Sequence, residues 1–150
     1  MIATTSDSRK EEAARNLGAH NVLNYKDNLE WGQRAKELSL DGRGADYIIK
    51  IGGPTTIMQS CVASAVDGII AVIGTRGGRS GNSGISHTTL ATIRRIIVGN
   101  RLQMEMVRAI SANKIKPVID SRVFKFADLK LAYRYVEEQQ HIGKVVIDIV

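Results

Sequence analysis

The sequence predicts an α/β protein with a mainly parallel sheet, and two patterns carry that prediction. Short apolar runs alternate with amphipathic, helix-length segments through about the first hundred residues. The run DGIIAVIG at 67–74 lacks polar alternation, as expected of a parallel strand covered on both faces. A chain of 150 residues, 43% of them apolar, can bury a sizeable core.

Taken in order, Ile2 to Thr5 read as a strand. Ser8 with Glu11 offers a capping box for a helix over Arg9 to Leu17, stopped by Gly18, with Ala13, Ala14 and Leu17 as its apolar stripe. Val22 and Leu23 make a short second strand, and Asp27 with Glu30 caps a helix running to about Leu40. DGRG at 41–44 breaks that helix, because glycine is a poor helix former. ADYIIKIGG at 45–53 is a strand entering a glycine turn, and a helix from Thr55 to Ala65 follows, with Ile57, Cys61 and Ala65 facing inward. After the strand at 67–74, the glycine-rich TRGGRSGNSG at 75–84 is a loop. Ser86 caps a helical piece to Thr92, before a strand near Ile96–Val98 and a turn at Gly99. Arg101 to Asn113 is the clearest helix, with Leu102, Met106, Ala109 and Ile110 on one face. KPVID and RVFKF are two short extended pieces. Asp128 to Glu138 form a last helix with Leu129, Ala132, Tyr133 and Val136 inward, and KVVIDIV closes the chain as a strand after Gly143.

Composition narrows the function classes. Cys61 is the only cysteine, so an internal disulfide and a multi-thiolate metal site are both excluded, and the residue reads as part of the core. His20, His87 and His141 lie far apart, and neither H-E-x-x-H nor C-x-x-C occurs. Asp120 and Asp128 are too weakly linked to be paired for acid–base work. No apolar run is long enough to span a membrane, and a cytoplasmic location is expected. The net charge is +6, and no acidic residue occurs from Gly68 to Met104, where Arg76, Arg79, Arg94, Arg95 and Arg101 are found. Such a field suits a phosphate-bearing partner. A nucleic acid is not expected, because no aromatic–basic interleaving supports it. The chain has no G-x-G-x-x-G and no G-x-x-x-x-G-K-[ST].

Five segments point further: IATTSDSRKEEAARNLGAHNVLNY, DGRGADYIIKIGG, AVDGIIAVIG, KPVIDSRVFKF and AYRYVEEQQHIGKVVI. In this order they resemble the C-terminal half of the medium-chain dehydrogenases/reductases, the superfamily of zinc-type alcohol dehydrogenases and quinone oxidoreductases. The likeness covers essentially the whole chain. P-V-I-D, AYRYVEE and G-K-V-V-I resemble the zinc-binding alcohol dehydrogenase subgroup.

The resemblance implies an incomplete doubly wound, Rossmann-like parallel sheet, lacking its first strand and glycine-rich turn. Residues 1–120 would be a partial NAD(P)-binding Rossmann domain. Residues 121–150 would be the helix and strand that pack back on the catalytic domain in relatives. Catalytic residues and zinc ligands would lie outside the chain. The cofactor implied is NADP or NAD, with weak or no binding by these residues alone. NADP is favoured because Thr5 and Ser6, followed by Arg9 and Lys10, stand where an acidic residue would select NAD. Tyr25 matches a tyrosine that quinone reductases place near the 2′-phosphate. Ile51, Gly52 and Gly53, then Ile73, Gly74 and Thr75, match the strand ends lining the cofactor trough. Gly99 and Asn100 match the turn near the nicotinamide, and Lys144 matches the lysine of the terminal G-K-V-V.

The strand order of such a sheet, 3-2-1-4-5-6, puts the missing strand at the centre. Three outcomes follow: a homo-oligomer fills the gap, a separate chain supplies the missing half, or the flanking strands close up. An oligomer is the preferred expectation. The function expected of the intact enzyme is hydride transfer between nicotinamide and an alcohol, carbonyl or quinone, with this chain inactive by itself. The alternative is a non-catalytic oligomerising or scaffold fragment derived from the family.

Overall fold

The computed structural model describes residues 1–74, 90–96 and 100–149. The chain divides into two compact units, Met1–Ile97 and Val98–Val150, each described by itself. The division expected after residue 120 concerned family role, and it falls inside a strand of the second unit, Ile119–Lys125.

In the first unit β1 (Ile2–Thr5) pairs in parallel with β2 (Asn21–Asn24), from Ile2 opposite Asn21 to Thr5 opposite Asn24. Between them lies α1 (Ser8–Asn16). Its cap is Asp7 rather than Ser8: Asp7 has extended backbone, φ −152° and ψ 134°, and its carboxylate accepts from Arg9 N at 2.8 Å. Gly18, at φ +98°, ends the helix in a Schellman motif, with Gly18 N donating to Arg15 O and Ala19 N to Ala14 O. Leu17, expected in the apolar stripe, is exposed.

Helix α2 (Trp31–Glu37) is shorter than expected at both ends. Asn28, not Asp27, shapes its approach, accepting from Glu30 N at 3.0 Å. At its far end Ser39 Oγ donates to Lys36 O and accepts from Gly44 N at 2.8 Å, turning the chain toward β3 (Ala45–Lys50). A 3₁₀ turn at Pro54–Thr56 leads into α3 (Ile57–Ala63), and β4 (Ser64–Val72) follows with no intervening residue. The helix therefore stops two residues before the expected Ala65, which is already part of the strand.

β4 pairs in parallel with β3 and with β5 (Thr92–Arg95). Thr92 thus belongs to a strand and not to the helical piece expected after Ser86, because Ile93 packs on the core of Ile57, Cys61 and Ile70. Residues 75–89 and 97–99 of those expectations lie outside the described residues, and with them the whole expected loop at 75–84 and the turn at Gly99.

The first unit holds an interrupted sheet. Among the described residues β1 pairs only with β2, and β3 only with β4. The order third–second, interruption, fourth–fifth–sixth is that of a doubly wound sheet without its first strand. Side chains bridge the two pieces: Trp31 and Ala35 of α2 and Ala63 of α3 are buried together, with Ile2, Leu23 and Tyr25 from one side and Ile48 from the other. The helices approach so closely that a Cβ on Gly32 would lie 2.2 Å from Gln59 O, and Gly32 N donates to Gln59 Oε1 at 2.8 Å.

The second unit contains α4 (Asn100–Ala112) and a parallel pair, β6 (Ile119–Lys125) and β7 (Lys144–Asp148), connected through α5 (Leu129–Glu137). The two extended pieces expected around residue 120 form one strand, with a register shift between Ile119 and Val123. The α4 face expected inward is exposed at Leu102, Met106 and Ala109, while Ile110 is half-buried. On α5, Ala132 is 2% exposed as expected, but Tyr133 is 70% exposed. The inward tyrosine is Tyr135, whose ring lies 5.4 Å from that of buried Phe124.

Buried Asp120 organises this unit. Its carboxylate accepts from Ile142 N at 2.7 Å, Arg122 N at 2.9 Å and Tyr135 Oη at 3.2 Å. Burial opposes its ionisation, but the Ile142 and Arg122 amides, the Tyr135 hydroxyl and the charge of His141 outweigh that and hold its pKa below the ordinary value. A depressed carboxylate pKa adds stability above the unfolded pKa of about 4, and that stability is lost as pH falls through the lower folded value. Asp120→Asn should therefore lower stability at pH 7 by about 1–3 kcal/mol, and melting curves taken down to pH 2 should show the gap to wild type closing. Gly32→Ala should cost about 1–3 kcal/mol by forcing α2 from α3, measured by denaturant titration.

Candidate functional site

Two groups of the expected residues come together at the carboxyl ends of parallel strands. This is where ligands bind in open α/β sheets.

The first group stands at the ends of β1 and β2. Thr5 O accepts from Tyr25 N at 2.9 Å, which sets Tyr25 beside the turn carrying Thr5 and Ser6. Tyr25 also packs on the Trp31 cluster, so its ring is anchored from beneath. Arg9 and Lys10 follow in the first turn of α1. Arg9 is engaged at once: its Nη2 lies 3.2 Å from Asp7 Oδ2 and its Nε 3.4 Å from Asp7 Oδ1. The Arg9 side chain, then its amide, hold the Asp7 pKa below the ordinary value. Asp7 was overlooked in the sequence, although it is the acidic residue of this turn and adjoins Ser6.

The second group stands at the ends of β3 and β4. Ile73 N and Gly74 N both donate to Lys50 O, at 2.9 and 3.3 Å, and so draw Ile51–Gly53 against Ile73–Gly74. A Cβ on Gly74 would lie 2.1 Å from Ile51 O, so only glycine permits this approach. Gly53 has φ +75°, a left-handed conformation that glycine adopts without strain. Ile51 and Ile73 are exposed along the rim.

Beneath this rim lies a residue that sequence reasoning passed over. Lys50 ends β3 only 5% exposed, and its Nζ donates to Thr56 Oγ1. Desolvation pushes the ammonium pKa down. The visible signal was a lysine closing the otherwise apolar run YIIK.

Of the remaining expected residues, Thr75 and Gly99 lie outside the described residues. Asn100 opens α4, and Lys144 opens β7, where its N donates to Val118 O at 2.8 Å. Among the described residues no three His, Cys, Asp or Glu side chains converge on a metal-sized site, and Cys61 is buried in the core of the first unit. No helix among them is long and apolar enough to cross a membrane.

Comparison with known proteins shows the family. A family model described as zinc-binding dehydrogenase matches residues 17–147. A zinc-type alcohol dehydrogenase-like protein of Schizosaccharomyces pombe is 39% identical over 156 aligned positions, covering 99% of this chain and 44% of that protein. A second such protein, from Leptosphaeria maculans, is 29% identical with the same coverage. The chain thus spans less than half the length of these relatives. A crystal structure of an NAD-dependent alcohol dehydrogenase superposes with a TM-score of 0.85 at 26% identity, covering 99% of this chain and 43% of that one.

The close approach of the two strand ends makes Gly74 the most sensitive position on the rim. Gly74→Ala should destabilise the first unit by about 1–3 kcal/mol, and hydrogen exchange should show faster opening of the Ile73 and Gly74 amides than of the β1–β2 ladder.

Proposed function

From the premise that the chain belongs to the zinc-binding dehydrogenase family, we propose that it forms the distal part of a nicotinamide-dinucleotide-binding domain in a hydride-transferring oxidoreductase. The observation that carries this reading is the glycine rim at the carboxyl ends of β3 and β4, where Gly74 lets the two strand ends draw together. When bound, the cofactor carries a hydride between its nicotinamide ring and an alcohol, carbonyl or quinone. The residues of this chain bind and orient it. Thr5, Ser6, Arg9, Lys10 and Tyr25 form the wall for the adenosine end, and Ile51, Gly52, Gly53, Ile73 and Gly74 the wall toward the nicotinamide. Thr75, Gly99 and Asn100 extend that wall in the resemblance to the family. The described side chains do not fit a zinc centre, so no step is assigned to a metal.

The reading favours NADP, on the hydroxyls of Thr5 and Ser6 and the cations of Arg9 and Lys10. A 2′-phosphate then takes the Arg9 guanidinium in exchange for Asp7, a replacement of one bidentate oxyanion by another. Asp7 supports a second reading, NAD, because a carboxylate in this turn can accept from a ribose 2′-hydroxyl.

Among the described residues β1 and β3 each have one edge without a strand partner, which supports association with a further polypeptide strand, from a second copy or from a chain carrying the missing half. Tyr47 and Ile49 on β3 are 76% and 65% exposed, so this strand also presents apolar side chains.

Titration of the 150-residue chain with NADPH and NADH, with light scattering to give its mass, tests the reading. Weak binding is expected, with a Kd of about 1 mM or more, tighter for NADPH, together with an oligomer and no turnover of a quinone panel. Preference for NADH that Asp7→Asn abolishes would select the second reading. Firm binding with turnover would overturn the incomplete-domain proposal. An oligomer that binds neither nucleotide would favour the scaffold alternative.

A further inference from the structure

Lys50 is a cost that the fold does not require. An apolar residue at the end of β3 would pack there without taking an ammonium out of water. Its Nζ instead donates to the neutral hydroxyl of Thr56, and no ion pair of Lys50 occurs among the described residues. Thr56 gives something up in the same bond. It stands at the N-cap of α3, where a threonine hydroxyl ordinarily accepts from a first-turn amide, yet it makes no side-chain cap hydrogen bond. Its backbone, φ −114° and ψ 7°, is wound into the 3₁₀ turn Pro54–Thr56 and is not the extended form that a capping residue adopts.

The chain between the two residues closes tightly on this bond. A Cβ on Gly52 would stand 3.1 Å from both Lys50 Nζ and Thr56 Oγ1, so glycine lets the backbone wrap the pair. Charged neighbours do not account for the tie. Along the sheet Lys50 is opposite Val72 of β4, and Val72 is opposite Arg95 of β5, which puts Arg95 on the same face about 10 Å away. On β3 itself Asp46 lies four residues back, about 13 Å, and is held by Arg43 at 2.8 Å. The titratable side chain of α3 is Cys61, buried with Ile57 and Ile70.

We propose that Lys50 and Thr56 form a two-state latch on the glycine turn at 51–53. Latched, as in this structure, Lys50 Nζ holds Thr56 Oγ1 across the turn. Released, the ammonium lies in water, Thr56 is extended, and its hydroxyl caps the first turn of α3 instead. Carrying ψ of Thr56 from 7° to the extended region undoes the end of the 3₁₀ turn and swings the glycine turn relative to α3. Burial pushes the Lys50 pKa down in the latched state. The released lysine therefore binds its proton more tightly, and release is favoured as pH falls below the ordinary lysine value of about 10.4. That bias stops growing below the latched value. The latch deepens the dinucleotide reading, in which this turn is part of the wall toward the nicotinamide. It is measured without nucleotide, so either can fail while the other holds.

The test is an NMR titration of the isotopically labelled 150-residue chain from about pH 11 down to about pH 6, spanning the ordinary lysine value. The Thr56 Cα and Cβ resonances, which report backbone conformation, should move toward extended values with the same midpoint as the Lys50 Cε resonance. Lys50→Met removes both the titrating group and the hydrogen bond that holds the turn. In that variant Thr56 should show extended shifts at every pH, with the titration lost, and the chain should melt no lower than wild type because the buried charge is gone. Thr56→Val keeps Lys50 but removes its partner, and the Lys50 midpoint should rise toward the ordinary value. Thr56→Ser should restore both the latch and the titration, which a merely steric role for the threonine methyl would not allow. Thr56 resonances that stay still while Lys50 Cε titrates, or that titrate equally in a folded Lys50→Met chain, would overturn the proposal. So would an unchanged Lys50 midpoint in Thr56→Val, and that variant decides alone if the methionine chain does not fold.

Discussion

The first unit keeps its shape across an interruption in its sheet, and the contact between α2 and α3 makes that possible. A parallel ladder normally holds neighbouring strands in register by continuous backbone hydrogen bonds. Here β1–β2 and β3–β4–β5 are two separate ladders. What joins them is a buried wedge of Trp31, Ala35 and Ala63, flanked by Ile2, Leu23, Tyr25 and Ile48. Gly32 lets the helices close to backbone contact, and the Gln59 amide ties that contact to a directed hydrogen bond. Both walls of the candidate site inherit their positions from this joint, one through Tyr25 and the other through Ile48, two residues before Lys50.

Much of the architecture was legible because apolar runs and glycines leave strong local signals. The Ile2–Thr5 strand was read with its bounds, and Gly18 marked its helix end correctly, since a left-handed residue there leaves few alternatives. Errors arose where two neighbouring residues compete for one role. Asp7 and Ser8 can each cap a helix, and only backbone conformation decides between them. Tyr133 and Tyr135 both lie near the boundary of the apolar face, and the choice fell to Tyr135 because Asp120 and Phe124 await it from β6. Such partners come from distant sequence. The α4 stripe was misjudged for a different reason: periodicity shows that a face is apolar but not that anything covers it.

The candidate site was legible as a set of strand ends but not as chemistry. Glycines at 52, 53 and 74 announced close backbone approach, and the structure shows the approach at Gly74. The charge balance was not visible in the same way. Arg9 read as a cation available to a ligand, yet it is paired with Asp7, two residues earlier. Lys50 was passed over in the sequence, yet it is buried. A charge seen in the sequence therefore does not tell whether its side chain is paired or buried.

The junction of α3 and β4 has its own consequence for how this fold tolerates change. Ala63 ends the helix and Ser64 begins the strand, with Ser64 Oγ closing onto Cys61 O at 2.7 Å. With no linker there, a single inserted residue has nowhere to be absorbed. It would either overwind the helix or slide β4 by one position, turning Ile70 away from Ile57 and Cys61 of α3. Length variation among homologous chains should consequently avoid this joint and collect in connections that carry spare backbone.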